Sequence, residues 1–226
     1  AASRVSPETV AVDIAVTLDR MGTDRLDLWL FHRDDDTVPV GELVDAAQRE
    51  VALGTIGAWG VSNWSAERFW EARSRADVAL PVATSPQFSL VDQLAKPWPG
   101  VTTITGPANA EERVRLADSE ISVITWSPLA GGFLTAARRP ESATDAETTR
   151  CYDSVQNRNR RERSLQLAIS RGCSPEQIAI AYVATSPFRV HVVCAARDGM
   201  EAAANLQAAE MELTSEERQW LEDGDR

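Results

Sequence analysis

The sequence predicts an α/β fold of parallel strands, about five βα units in succession. Two observations carry this. Five short apolar runs of strand length are separated by segments with helical apolar spacing, an alternation that calls for βα units and a parallel sheet. The composition of the 226 residues, 43% apolar and 25% charged, is that of a globular protein with a sizeable core.

The elements follow in order. SPETVAVDIAVTLDRMG opens on Ser6-Pro7 and stops at Gly22, the asymmetry of a helix start and a helix stop. LDLWLF is the first strand. PVGELVDAAQREVALG is a second amphipathic helix closed by Gly54, and IGAWGVSN the second strand. SAERFWEARSRA is a helix with Ser65 as N-cap. LPVATSPQFSL reads as the third strand, followed by a loop with Lys96, Trp98 and two prolines. ANAEERVRLADSE is helical and ISVITWS the fourth strand. Residues 136–156 read as a long polar loop, and RNRRERSLQLAISRG resumes helix, with Arg158–Arg163 as a solvated helix start. SPEQIAIAYVATS carries a capping box at Ser174, Pro175 and Gln177. RVHVVCAA is the fifth strand, and GMEAAANLQAA and TSEERQWLE are terminal helices.

No GxGxxG follows any strand, so the dinucleotide-binding doubly wound sheet lacks its main signal. The alternative is a (β/α)8 barrel, whose active sites gather at the C-terminal ends of the strands. The polar residues fall there. His32 ends the first strand, Ser62-Asn63 the second, Gln87 the third and Trp126-Ser127 the fourth, and Arg197 lies just past the fifth.

Charge and composition exclude several classes. A net charge of −11 argues against non-specific nucleic-acid binding, and no apolar run is long enough to span a membrane. The three cysteines have no metal-ligand spacing and read as reduced thiols, which places the chain in the cytoplasm, with Cys194 a small buried hydrophobe. Asp34, Asp35 and Asp36 read as a solvated acidic loop, not a metal site, and His191 as a structural residue before the last strand. Lysine occurs once, at Lys96, and tyrosine twice, at Tyr152 and Tyr182.

The segments GTDRLDLWLFHRDD, GAWGVSN, SPQFSL, WSPLAGGFLT and CAARDGMEAAANLQA, in this order, resemble the aldo-keto reductase family over nearly the whole chain. The resemblance implies a (β/α)8 barrel, present here as a partial one over residues 1–226, about five βα units, that reduces an aldehyde or ketone with NADPH. It makes His32 the histidine that orients the substrate carbonyl. Ser62, Asn63 and Gln87 become the clamp on the nicotinamide carboxamide, and Trp126 the ring that stacks on the nicotinamide. Ser127, Leu129 and Gly131 become the loop under the pyrophosphate, and Arg197 and Asn205 the adenosine side. The family's aspartate, tyrosine and lysine precede the region present, and neither Lys96 nor either tyrosine matches them. Ala195 stands where glycine or lysine is usual, Glu201 where arginine or glutamine is usual, and Ala204 where glutamate is usual.

The expectation is therefore an N-terminally incomplete NADP-dependent oxidoreductase for a small carbonyl substrate, inactive as this chain alone. It would pair through open barrel edges or with a missing N-terminal segment. The rivals are a catalytically deficient domain for cofactor sensing or protein interaction, and an accessory domain of a larger fusion.

Overall fold

The segment LDLWLF forms strand β1, Leu26–Phe31, with the boundaries its apolar run suggests. The computed structural model describes residues 4–137 and 146–224. The chain divides into two units, residues 1–85 and 86–226.

In the first unit, helix α1 (Pro7–Met21) precedes β1, α2 (Val40–Leu53) leads to β2 (Ile56–Ser62), and α3 (Ala66–Arg75) to β3 (Ala83–Ser85). The strands are parallel: Leu26 lies opposite Ile56, Phe31 opposite Val61, and Ser62 opposite Ser85. Gly60 permits this spacing, because a Cβ there would meet the Ala83 carbonyl oxygen at 2.4 Å. Ile14, Leu43, Ala47, Ile56, Trp59, Val61 and Phe69 fill the core, from stripes at helical spacing in α1 to α3 and the alternating faces of β2. A buried Gln48 side chain accepts from the N–H groups of Asp77, Val78 and Ala79, and the Trp59 indole donates to the Ala79 carbonyl. These bonds satisfy the turn that delivers β3.

The third strand is shorter than its sequence suggests. Pro86 has no N–H to continue a ladder, and pairing beyond it is confined to Gln87, which bridges Thr103 and Trp126.

In the second unit α4 (Ala110–Ala117) leads to β4 (Ser122–Trp126), and α5 (Ala146–Tyr152), α6 (Val155–Arg171) and α7 (Pro175–Ala184) precede β5 (Val190–Val193). Helices α8 (Gly199–Glu210) and α9 (Ser215–Asp223) follow. Strands β4 and β5 are parallel, with Val123 opposite Val190 and Trp126 opposite Val193. Helix α7 is buried nearly all round, from Ile178 to Val183, and therefore shows little amphipathic periodicity.

Four readings of the sequence need correction here. Residues 146–152 are helical and α6 begins at Val155, within the segment read as polar loop; residues 138–145 lie outside the described residues. The arginines of Arg158–Arg163 are not simply solvated. Arg160 pairs with Asp92 and donates to the Glu222 carbonyl, Arg161 donates to the carbonyls of Phe133 and Thr135, and Arg163 to those of Leu221 and Glu222. His191 lies inside β5, exposed, and Cys194 is half-buried. Among the described residues, no helix is long and apolar enough to cross a membrane.

Candidate functional site

The first unit places His32, Ser62 and Asn63 at the C-terminal ends of β1 and β2. His32 follows Phe31 directly and is exposed, while Phe31 is buried against Trp29, Trp59 and Trp64. The alternation of side chains along a strand sends one ring in and the next ring out. The loop after His32 is clamped. The Trp64 indole donates to the Arg33 carbonyl at 3.1 Å, and Arg68 holds both Asp34 carboxylate oxygens at 2.7 and 3.0 Å. Arg68 also donates to the carbonyls of Asp35 and Val38, and its guanidinium lies over the Trp64 ring. Asp34 is thus a half-buried ion-pair member and not part of a solvated loop. Burial pushes its carboxyl up, outweighing the pull of Arg68 in the opposite direction.

Ser62 and Asn63 are both buried at the end of β2. Ser62 Oγ donates to the Ser85 carbonyl at 3.1 Å, and Asn63 Nδ2 donates to Ser62 Oγ at 3.0 Å. The backbone of Asn63 is left-handed, φ +60°, a conformation that asparagine tolerates better than most residues.

In the second unit Gln87 is wholly buried and its amide is engaged. Its Oε1 accepts from Thr103 Oγ1 at 2.6 Å, and Nε2 donates to Ser89 Oγ at 3.1 Å and to the Ser127 carbonyl at 3.4 Å. Any ligand amide taken up by Gln87 must exchange with one of these partners. Trp126 ends β4 half-buried, and the Trp98 indole is stacked on it. The chain after it turns sharply: Ser127 has φ +54° and Ala130 φ +52°, followed by Gly131 at +62° and Gly132 at +94°. Leu129, half-buried, precedes Ala130 with φ −86°, and such right-then-left alternation is found where main chain forms an anion-binding concavity. Thr148 Oγ1 on α5 donates to the Gly131 carbonyl at 3.0 Å. Trp98, Trp126, Ser127, Gly131, Thr148 and Tyr152 line a shallow pocket.

Among the described residues, the non-glycine residues with left-handed backbone are Asn63, Ser127 and Ala130. All three fall in the segments singled out from the sequence. A non-glycine residue held there costs on the order of 1–2 kcal/mol, and such strain collects at ligand sites.

Past β5, Arg197 is 90% exposed at its side chain and ion-paired with Glu201 at 3.1 Å. The Arg197 N–H also donates to the same Glu201 oxygen, at 2.7 Å. These bonds hold the Glu201 carboxyl below its usual range and the guanidinium above its own. Asn205 Nδ2 donates to the Ala195 carbonyl at 3.1 Å, which fixes the strand exit against α8.

Sequence reasoning missed Trp98, Arg68 and α5. The first was visible only as a tryptophan in a proline-flanked loop, and Arg68 only as one charge on a helix.

Neither tyrosine has the environment of an accessible acid. Tyr182 is buried, its hydroxyl donates to Glu222 at 2.7 Å, and burial with the Glu222 charge pushes its phenol well up. Burial likewise raises Tyr152.

The model of the Aldo/keto reductase family matches residues 1–223. Among curated proteins the chain is 27% identical over 207 residues to a probable voltage-gated potassium channel subunit beta of Oryza sativa, covering 86% of this chain and 60% of that protein. It is 24% identical over 212 residues to the uncharacterized oxidoreductase YrpG of Bacillus subtilis, covering 92% of this chain and 60% of that protein. The chain therefore spans about 60% of the length of these relatives. Among solved structures, the holo form of the aldo-keto reductase AKR11C1 from Bacillus halodurans superposes with a TM-score of 0.74 at 21% identity, over 98% of this chain and 68% of that one. That likeness shows the α/β fold of an aldo-keto reductase barrel. With the family model matched over almost the entire chain, the chain belongs to the aldo/keto reductase family.

Proposed function

We propose that the protein of which this chain forms part is an NAD(P)H-dependent oxidoreductase that reduces an aldehyde or ketone to an alcohol. The observation that supports this is the coincidence of strain and motif: Asn63, Ser127 and Ala130 adopt left-handed backbone in the segments that the resemblance assigns to the cofactor cradle. The cofactor's nicotinamide supplies the hydride. In this reading Trp126 offers a flat ring face to it, and the turn from Ser127 to Gly132 approaches the pyrophosphate with main chain, Leu129 and Gly131 included. Gly132 and Gly131 leave room for that approach, since a Cβ on Gly132 would meet nothing within 4 Å and one on Gly131 nothing nearer than 3.5 Å. Ser62, Asn63 and Gln87 orient the carboxamide, an amide that needs both donors and acceptors. His32 donates a hydrogen bond to the substrate carbonyl and orients it. The resemblance implies NADPH as the cofactor, and the surroundings of Arg197 bear on that choice.

Titration with NADH and NADPH, followed by quenching of tryptophan emission, tests the binding part. The expected result is saturable binding that Trp126→Ala weakens by roughly tenfold, the loss of one aromatic stacking partner. Binding of neither dinucleotide would remove the reading.

A second reading is a domain that binds the cofactor without catalysis and serves in sensing or protein interaction. The similarity to a probable voltage-gated potassium channel subunit beta of Oryza sativa supports it.

A further inference from the structure

We infer that Glu201 sets cofactor choice against a 2′-phosphate, so that the site takes an unphosphorylated adenosine ribose, as in NADH. This rests on the dinucleotide reading above and decides which dinucleotide is meant. Arg197 is the cation that the sequence offers for a phosphate, and a guanidinium binds a phosphate best through two parallel donors. In the structure Glu201 occupies that guanidinium at Nε, 3.1 Å away, and takes the Arg197 main-chain N–H at 2.7 Å as well. The carboxylate therefore holds one of the guanidinium's donors, and an anion that approaches the others meets its charge at close range.

The neighbouring Asp198 adds a second negative charge. It caps α8, its side chain accepting from the Glu201 N–H at 2.9 Å, so it is held beside the pair. Arg197, Asp198 and Glu201 together carry one positive and two negative charges. A phosphate of nearly two negative charges would enter a locally negative patch. A ribose hydroxyl meets the opposite situation, because it can donate a hydrogen bond to a carboxylate that is ionised at neutral pH. Glu201 is held below the usual carboxylate range by its bonds from Arg197, so it is ionised wherever the protein would work. Ala204, the sixth residue of α8, offers no polar group to either ligand.

The exposed Arg197–Glu201 pair is weak by itself, so it does not lock the site. Its effect is discrimination, through repulsion of one ligand and a hydrogen bond to the other. Fluorescence titration of the chain with NADH and NADPH at low ionic strength, for wild type and Glu201→Gln, tests this. The wild type should bind NADH about five- to tenfold more tightly than NADPH, the scale expected for one or two like charges at partly solvated contact distance. Glu201→Gln should tighten NADPH by a similar factor, leave NADH within about twofold, and lose its advantage as salt rises. The residue is exposed enough for the variant to fold, which a circular dichroism spectrum checks. A wild-type preference for NADPH overturns the inference while the dinucleotide reading stands, as does a Glu201→Gln change that moves both ligands equally. Binding of neither ligand overturns both.

Discussion

The indole of Trp98 lies on the indole of Trp126, with ring centroids 5.6 Å apart and planes inclined by 22°. Trp98 is 43% exposed and sits in the loop between Leu94 and Gly100. Two arms from the helical layer hold that loop: the Leu94 N–H donates to the Cys151 carbonyl, and Arg150 donates to the carbonyls of Lys96 and Pro97. A flat ring that stacks on the face of Trp126 now covered must displace Trp98.

The first prediction follows from that competition. An aromatic pair contributes about 0.5–1.5 kcal/mol beyond its buried area. Trp98→Ala should therefore tighten dinucleotide binding by about two- to tenfold, and it should remove the exciton signature of paired indoles from the circular dichroism spectrum. Unchanged affinity with the exciton signal lost would show that the ligand approaches Trp126 from elsewhere.

The second prediction concerns pH and helix α9. Glu217 accepts from the Thr214 N–H at 2.9 Å and from Arg171 at 2.6 Å, closing a capping box and an ion pair at once. Burial pushes its carboxyl up, but the bonds from Arg171 and Thr214 outweigh this and leave it below the usual range. The sign follows by linkage: the unfolded state binds the proton more readily, so Glu217 contributes stability above the ordinary carboxylate pKa and loses it as pH falls through the lowered folded value. The pair is partly exposed, so the contribution discounted for solvent screening is about 0.5–1 kcal/mol. Glu217→Gln should melt a few degrees below wild type at neutral pH, and the gap should close at pH near 3. A gap that persists in acid would mean that the loss is one of capping geometry and not of charge.

Much of the local structure was legible because it is written in neighbouring residues. Ser65 caps its helix and Ser174 forms a capping box with Gln177 as read from the sequence, and β1 has the span of its apolar run. What was hidden depends on residues far apart in the chain. Asp34 looked solvated until Arg68 folded over it, 34 positions away. Helix α5 was read as loop because its buried side amounts to Cys151 and Tyr152, too little to give a period. The stretch around Pro86 looked like a longer strand because proline interrupts hydrogen bonding without interrupting hydrophobicity. The candidate site was read from the sequence as a set of strand-end positions, and His32, Ser62, Asn63 and Trp126 do lie at or next to strand ends. The occupation of the Gln87 amide, the Trp98 stack and the Glu201 pair were not, since none is fixed by local spacing.

The third prediction is that this chain alone does not reduce carbonyls at a useful rate. The chemistry needs a proton donor at the carbonyl oxygen, and the two tyrosines do not supply one. Tyr182 is buried with its hydroxyl on Glu222 and its ring under Arg218, and burial raises both phenols. A raised phenol holds its proton more tightly, which is the wrong direction for a general acid at neutral pH. His32 is exposed at the end of β1, and an imidazole N–H there could donate to a carbonyl oxygen. Losing the positioned acid costs on the order of 10²- to 10⁴-fold in rate. NADH and NADPH oxidation with 4-nitrobenzaldehyde should therefore stay at background for the purified chain. Adding an N-terminal segment from a full-length relative should restore turnover, and His32→Ala should then lower it, with the carbonyl less well oriented. Restored turnover would favour the enzyme reading over the sensing one, because the cradle would then be shown to be competent. Turnover by the chain alone, abolished by His32→Ala, would instead make His32 the acid and leave no need for a tyrosine.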